Sequence, residues 1–294
     1  MTPALDVRRP PIVAEVAEDP AVRAVFSGRL APSAAAEANL SLVVGDGDVA
    51  TARSEALAVI GATLASAVFM EQVHAGKVAV VGAAEQGRGT GNHADAIAGV
   101  DALVTFEPDV AVIVLAADCV PVLLADPGRG VAAVHAGRRG VQAQVAVAAV
   151  RALTRRDGTD ASMVVALIGP AIGGCCYEVP GALRDEVAAT WPQAGACTTW
   201  GSPSLDLPAA VTAQLVEAGV ARVEHVGGCT HCKPARWFSH RATGGGSAGA
   251  SGVAGPAGAT GGAGWAAGRQ AGIVVRRGQT PPARPTAAAC LDSA

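Results

Sequence analysis

Apolar strand-like runs that follow one another with helices between only some of them mark this chain as an α+β protein. The expected architecture is layered mixed β-sheets flanked by helices in a single domain. Runs such as Val110 to Leu115, Val120 to Leu124 and Val131 to His135 succeed each other without an intervening helical pattern. Half of the 294 residues are hydrophobic, enough to fill one large core. The longest apolar runs, such as Val110 to Ala117, are far too short to span a bilayer.

Taken in order, residues 1–20 read as a flexible N-terminal arm, 21–278 as the folded domain and 279–294 as a disordered, proline-bearing tail. Ala21 to Phe26 opens the fold as a strand. Val49, Ala52, Leu57, Ile60 and Leu64 recur at helical intervals, predicting a helix over Asp48 to Leu64 with Asp46 or Asp48 as its N-cap. Further strands are expected at Ala67 to Phe69, Lys77 to Val81, Ala102 to Thr105, Val110 to Leu115, Val120 to Leu124 and Val131 to His135. Gln142 to Leu153 reads as a helix entered through Gly140 and closed by Arg155-Arg156-Asp157-Gly158. Met163 to Ile168 reads as a buried strand, with helices near Pro180 to Thr190 and Pro208 to Ala218. Strands at Arg222 to Val226 and Ile273 to Val275 complete the expected set. Residues 243–264 collapse to Gly, Ala and Ser; they form an expected flexible insertion, and no GxxxxGK[ST] makes them a phosphate cradle.

The charge balance, 22 Lys+Arg against 25 Asp+Glu, leaves no basic excess for a nucleic-acid backbone. Aromatics at 3% argue against base-stacking platforms. The N-terminus has no apolar core of a secretory signal, so a cytoplasmic protein is expected, with neither membrane nor nucleic acid as partner. Seven cysteines, an odd number, then read as reduced, packed or metal-bound thiols rather than a disulfide framework.

Chemistry concentrates in three islands: Gln72-Val73-His74, Ala117-Asp118-Cys119 and Val134-His135-Ala136-Gly137. Each places one metal-grade residue at the expected end of a strand. A lone His or Cys in such a place is usually structural. Three together offer His, Cys and His, and three protein ligands with an open fourth position are the pattern of a catalytic zinc. Asp118 cannot face the same way as Cys119 on an extended chain, so it is expected to orient a His ring or to act separately as an acid or base. Cys229-Thr230-His231-Cys232 with Cys175-Cys176 reads first as packed thiols, because zinc ribbons carry two CxxC pairs and only one is present. A structural zinc or a redox pair is the alternative there. His93 and His225 read as surface or supporting residues.

The segments QVHAGKV, VDALVT, AADCVPVLLADP, VAAVHAGRRG, IGPAIGGCCYEV, CTHCKPARWFSHR and GRQAGIV occur in that order. Together they resemble the family called laccase-like multicopper polyphenol oxidases, also labelled purine nucleoside phosphorylases and peptidoglycan editing factors. The likeness runs from about Asn39 to Val275. It implies that His74, Cys119 and His135 bind Zn2+, with Cu2+ as the alternative ion, and act as the catalytic centre. It further implies Arg53, Arg139 and Arg241 as substrate-binding residues. The chain departs from the family pattern at Ala52, Ala117, Arg138 and His240, where Asn, Thr, Trp and Tyr are usual. None of these departures removes a metal ligand.

The reaction so implied is cleavage of the N-glycosidic bond of adenosine, inosine or guanosine by phosphate. Methylthioadenosine phosphorolysis and adenosine deamination are the side activities to expect, the latter because zinc lowers the pKa of bound water. Two rival chemistries remain. A four-copper oxidase needs roughly ten histidines, and the chain has six. A peptidoglycan-precursor hydrolase would use Cys119 as nucleophile and His135 as base.

Overall fold

Side chains alternate along a strand, and the long strands here are apolar on both sides, so each sheet must be covered on both faces. In the computed structural model, which describes residues 12–15, 19–30, 37–155, 158–244 and 265–278, four layers meet that demand. One sheet runs β1 (Ile12–Glu15), β2 (Val22–Phe26), β13 (Gln270–Arg276), β6 (Ala111–Ala116) and β3 (Ala67–Val68). The other runs β12 (Arg222–His225), β9 (Val165–Ile168), β7 (Val120–Asp126), β8 (Gly130–Ala136), β5 (Ala102–Thr105) and β4 (Val78–Val80). Parallel pairing of β3 with β6, β4 with β5 and β12 with β9 makes both sheets mixed, as the sequence predicted.

The sheets pack face to face. Leu123, Ala125, Val131 and Ala133 of one meet Ala24, Val112, Val114 and Val274 of the other. On the outer side, Val122, Leu124, Ala132 and Val134 lie under helices α3 (Val145–Arg155) and α5 (Leu207–Glu217). Ile113, Ala271 and Ile273 are covered by α1 (Val49–Ala58) through Ala52, Ala56 and Leu57. Each fully buried Val, Leu or Ile contributes about 1.5–3 kcal/mol relative to exposure. Layer packing therefore sets the frame into which the polar site is fitted.

Several expectations need correction. The 1–20 arm contains β1, which pairs antiparallel with β2 and so belongs to the sheet. The rest of that arm up to residue 18, the insertion from residue 245 to 264 and the 279–294 tail lie outside the described residues. Helix α1 stops at Ala58, because Gly61 takes a positive φ of 70° and the Leu57 carbonyl accepts from Ile60 and Ala62. The single helix expected over Gln142 to Leu153 is two, α2 (Arg138–Gln142) and α3, broken where Gln144 adopts φ 55°. Met163 is more than half exposed in a 3-10 turn, and the buried strand starts only at Val165. An unexpected antiparallel pair, β10 (Gly195–Cys197) with β11 (Pro203–Leu205), lies beside α4 (Gly181–Thr190).

Candidate metal centre

Parity along β8 and β5 begins the site. His135 shares its side of the sheet with Val131 and Ala133, and Asp101 shares its side with Leu103, so both face the space between the sheets. The register Ala102↔Val134 sets Asp101 opposite His135, and the His135 N–H donates to the Asp101 carbonyl at 2.8 Å. Likewise the register Val120↔Ala136 brings Cys119 beside Gly137. Cys119 is delivered by the short link that carries the chain from β6 in one sheet to β7 in the other. Asp118 makes that turn at φ 87°, a strained value for a residue with a side chain.

His74 arrives from β3 by a different device. The Gln72 side chain bridges to β6, its Nε2 donating to the Leu115 carbonyl at 2.7 Å and its Oε1 accepting from Leu115 N at 2.8 Å. His74 itself is held at φ 59°. That conformation aims two successive N–H groups at one carboxylate: His74 N and Ala75 N donate to Asp101 Oδ1 and Oδ2 at 2.9 and 2.6 Å. Asp101, fully buried, also accepts from His135 Nδ1 at 2.8 Å. One carboxylate thus fixes the backbone of one histidine and the ring of the other. Burial opposes its charge, yet the His135 hydrogen bond and the two amides hold the Asp101 carboxyl below its ordinary pKa.

With Nδ1 engaged by Asp101, His135 presents Nε2 to its neighbours. Donor atoms of His74, Cys119 and His135 all lie within 4.8 Å of one another. The Cys119 Sγ to His74 Nε2 distance is 3.8 Å; zinc bonds of about 2.3 Å to sulfur and 2.0–2.1 Å to nitrogen put such a pair about 3.6 Å apart. The three side chains therefore fit a tetrahedral ion with one position open. Gly137 permits the approach, since a Cβ there would stand 2.8 Å from His74 Cδ2 and 3.0 Å from Cys119 Sγ. Burial works against charge on both Cys119 and His135, but each favours the charged form of the other. The thiol falls to about 6 and the imidazole, also bonded to Asp101, rises to about 9.

A cavity of about 180 Å³ opens over this centre, lined by Arg53, Phe69, His74, Cys119, His135 and Arg269. Arg53 is almost wholly buried; its Nε and Nη1 donate to the carbonyls of Leu40, Gly89 and Thr90, and its guanidinium lies 3.9 Å over the Phe69 ring. Burial lowers its pKa to about 10, so it stays cationic at neutral pH. A larger cavity of about 760 Å³ lies by α5 and β12. Cys229 and His225 reach its wall, but no arginine does, whereas the smaller cavity joins the His74, Cys119 and His135 donors to two arginines.

Of the residues expected from sequence, His74, Cys119, His135 and Arg53 converge on the cavity. Arg139 is exposed on α2 and outside its lining. Arg241 is also outside the lining; its Nη1 donates to the Glu178 carbonyl and its guanidinium covers Tyr177 at 4.9 Å. Asp118 orients no histidine: it accepts from Thr230 Oγ1 at 2.6 Å and Arg241 N at 2.7 Å. Asp101 takes the role expected of it. Asp101 and Arg269 were missed, although VDALVT and GRQAGIV contain them; for Asp101 an acid standing directly before the apolar run Ala102 to Val104 was the available signal.

The thiols that sequence read as merely packed also converge. Sulfurs of Cys175, Cys176, Cys229 and Cys232 lie within 4.8 Å of one another.

Residues 23–254 match the family described as "Multi-copper polyphenol oxidoreductase laccase". A purine nucleoside phosphorylase of Streptomyces coelicolor is 48% identical over 208 residues, covering 70% of this chain and 82% of that protein. One from Corynebacterium glutamicum is 38% identical over 259 residues, covering 86% and 94%. The crystal structure of YlmD from Geobacillus stearothermophilus superposes with a TM-score of 0.77 at 29% identity, covering 92% of this chain and 97% of that one.

Proposed function

Because the chain belongs to the multi-copper polyphenol oxidoreductase laccase family, we propose that it is a purine nucleoside phosphorylase, the name its relatives carry, and that it depends on zinc. The supporting observation is three metal-grade side chains converging on a cavity that two arginines also line. The substrates are adenosine, inosine or guanosine with phosphate. A phosphate oxygen attacks ribose C1′, the C1′–N9 bond breaks, and the purine leaves with the electron pair and takes up a proton. Free purine and ribose 1-phosphate result.

Arg269 and the Nη2 edge of Arg53 offer cationic donors for phosphate, as the guanidinium fork suits such oxyanions. Phe69 and the loop from Ser41 to Val44 wall the cavity. Asn39 shapes that loop, its Nδ2 donating to the Val44 carbonyl while its Oδ1 accepts from Ser41 N and Arg269 N. His74, Cys119 and His135 would hold the zinc, which supplies a Lewis acid with an open position. Asp101 keeps His135 Nε2 turned toward it. Arg139 and Arg241, outside the cavity lining, would reach substrate only from its rim.

A copper oxidase relay lacks ligands: none of His93, His225, His231 and His240 belongs to a metal-grade cluster among the described residues. The Cys119–His135–Asp101 chain favours a second reading, a cysteine hydrolase, because it pairs a low-pKa thiol with an imidazole oriented by a carboxylate. Product analysis with adenosine separates these. Adenine with ribose 1-phosphate, released only when phosphate is added, supports phosphorolysis. Inosine indicates deamination, and no turnover beside rapid Cys119 alkylation in zinc-loaded protein favours the hydrolase.

A further inference from the structure

We infer that Cys175, Cys176, Cys229 and Cys232 form a second metal site, a tetrathiolate that holds one structural Zn2+. The two pairs come from loops at the ends of different strands: Cys175-Cys176 follows the turn after β9, and Cys229 and Cys232 follow β12. A zinc ion with four bonds of about 2.3 Å spaces its sulfurs about 3.8 Å apart. Cys232 Sγ stands 3.6 Å from Cys175 Sγ and 3.4 Å from Cys176 Sγ, and all four sulfurs fall within 4.8 Å. A disulfide needs about 2.05 Å, and all four thiols are free. The backbone prepares the place as well. Gly227 and Gly228 take φ of 105° and 113°, turning the chain back so that Gly173 N donates to Cys229 Sγ at 3.4 Å. A backbone N–H directed at sulfur is the usual support for a metal-bound thiolate.

This site stands apart from the His74–Cys119–His135 centre but is joined to it. Thr230, fully buried between Cys229 and Cys232, donates to Asp118, the residue that turns the chain into Cys119. Ile172, just before the Cys175-Cys176 loop, donates its N–H to the Asp118 carbonyl at 3.0 Å. The second zinc would clamp the loops on which the Cys119 turn rests.

Zinc content per chain of the reduced, desalted protein tests the assignment, with Cys119→Ala and Cys232→Ser measured beside wild type. Two equivalents are expected in wild type. Cys119→Ala should keep one, and Cys232→Ser should lose the tetrathiolate zinc to a competing chelator at least about tenfold more readily, the scale set even by loss of outer partners. Wild-type alkylation with mass mapping guards against a misfolded variant. Zinc should protect Cys175, Cys176, Cys229 and Cys232 while the exposed Cys197 reacts throughout. A single equivalent abolished by Cys119→Ala overturns the proposal, as do disulfides among the four thiols, or four thiols that react equally with and without zinc. Visible iron absorption in the isolated protein would overturn the choice of zinc.

Discussion

Gly137→Ala would add one methyl group at the point where His74, Cys119 and His135, the proposed zinc ligands, come together. Gly137 has φ −72° and ψ 172°, which alanine adopts without strain, so backbone conformation is not disturbed. The added Cβ would stand 2.8 Å from His74 Cδ2 and 3.0 Å from Cys119 Sγ. Ordinary carbon contacts begin near 3.5 Å, so the ligands must retreat by roughly 0.5 Å or more. Metal sites tolerate about 0.2 Å. Overpacking of this kind costs about 1–3 kcal/mol. If the ion-bound arrangement bears that cost, zinc binds about 5- to 150-fold more weakly, at about 1.4 kcal/mol per tenfold. Chelator-competition titration should show this loss with the melting temperature of the metal-free protein changed by no more than a few degrees. Unaltered zinc affinity in a folded variant would refute the convergence of His74 and Cys119 on a common ion.

Other outcomes follow from the same geometry. Asp101→Asn weakens the acceptor of His135 Nδ1 and of the His74 and Ala75 amides, so zinc affinity should fall about 10- to 100-fold, read by the same competition assay. A fall below twofold would show that Asp101 does not orient the ligands. Zinc binding must displace the His135 proton, so affinity should rise about tenfold per pH unit from about 6 to 9, then level off. Metal-free stability should carry no net slope from this pair between about 6.5 and 9. Cys119, with its pKa depressed on folding, gains stability as pH rises there, while His135, with its pKa raised, loses it. Arg269→Ala should raise KM for phosphate and lower kcat/KM by about 10- to 150-fold, the worth of a charged hydrogen bond of about 1.5–3 kcal/mol; an unchanged phosphate KM in steady-state assays would remove Arg269 from the phosphate site.

The convergence of His74, Cys119 and His135 was legible because each interrupts or closes an apolar run, where a polar side chain stands out. The sheets were legible for the same reason: strands covered on both faces must be apolar along most of their length, as β7 and β8 are apart from Asp126 and His135. Other features depend on tertiary contacts that leave little local trace. Asp101 is one acid before a short apolar strand, and its value lies in His74 and His135, which come from distant segments. Gln144 and Asp118 take positive φ without being glycine, so neither the α2–α3 break nor the Cys119 turn was announced by composition. Strands β10 and β11 are three residues each, and Gly195-Ala196-Cys197 has no alternation to read. The four-thiol cluster lacked a second CxxC, and only the folding of two loops supplies its geometry.

The most direct test of the central claim measures zinc content and phosphate-dependent adenine release on the same samples of wild type and Cys119→Ala. Wild type should release adenine in proportion to zinc bound at the His74–Cys119–His135 centre, and the variant should lose both that zinc and the release. Release that survives in Cys119→Ala, or zinc-loaded wild type that leaves adenosine intact in the presence of phosphate, would contradict it.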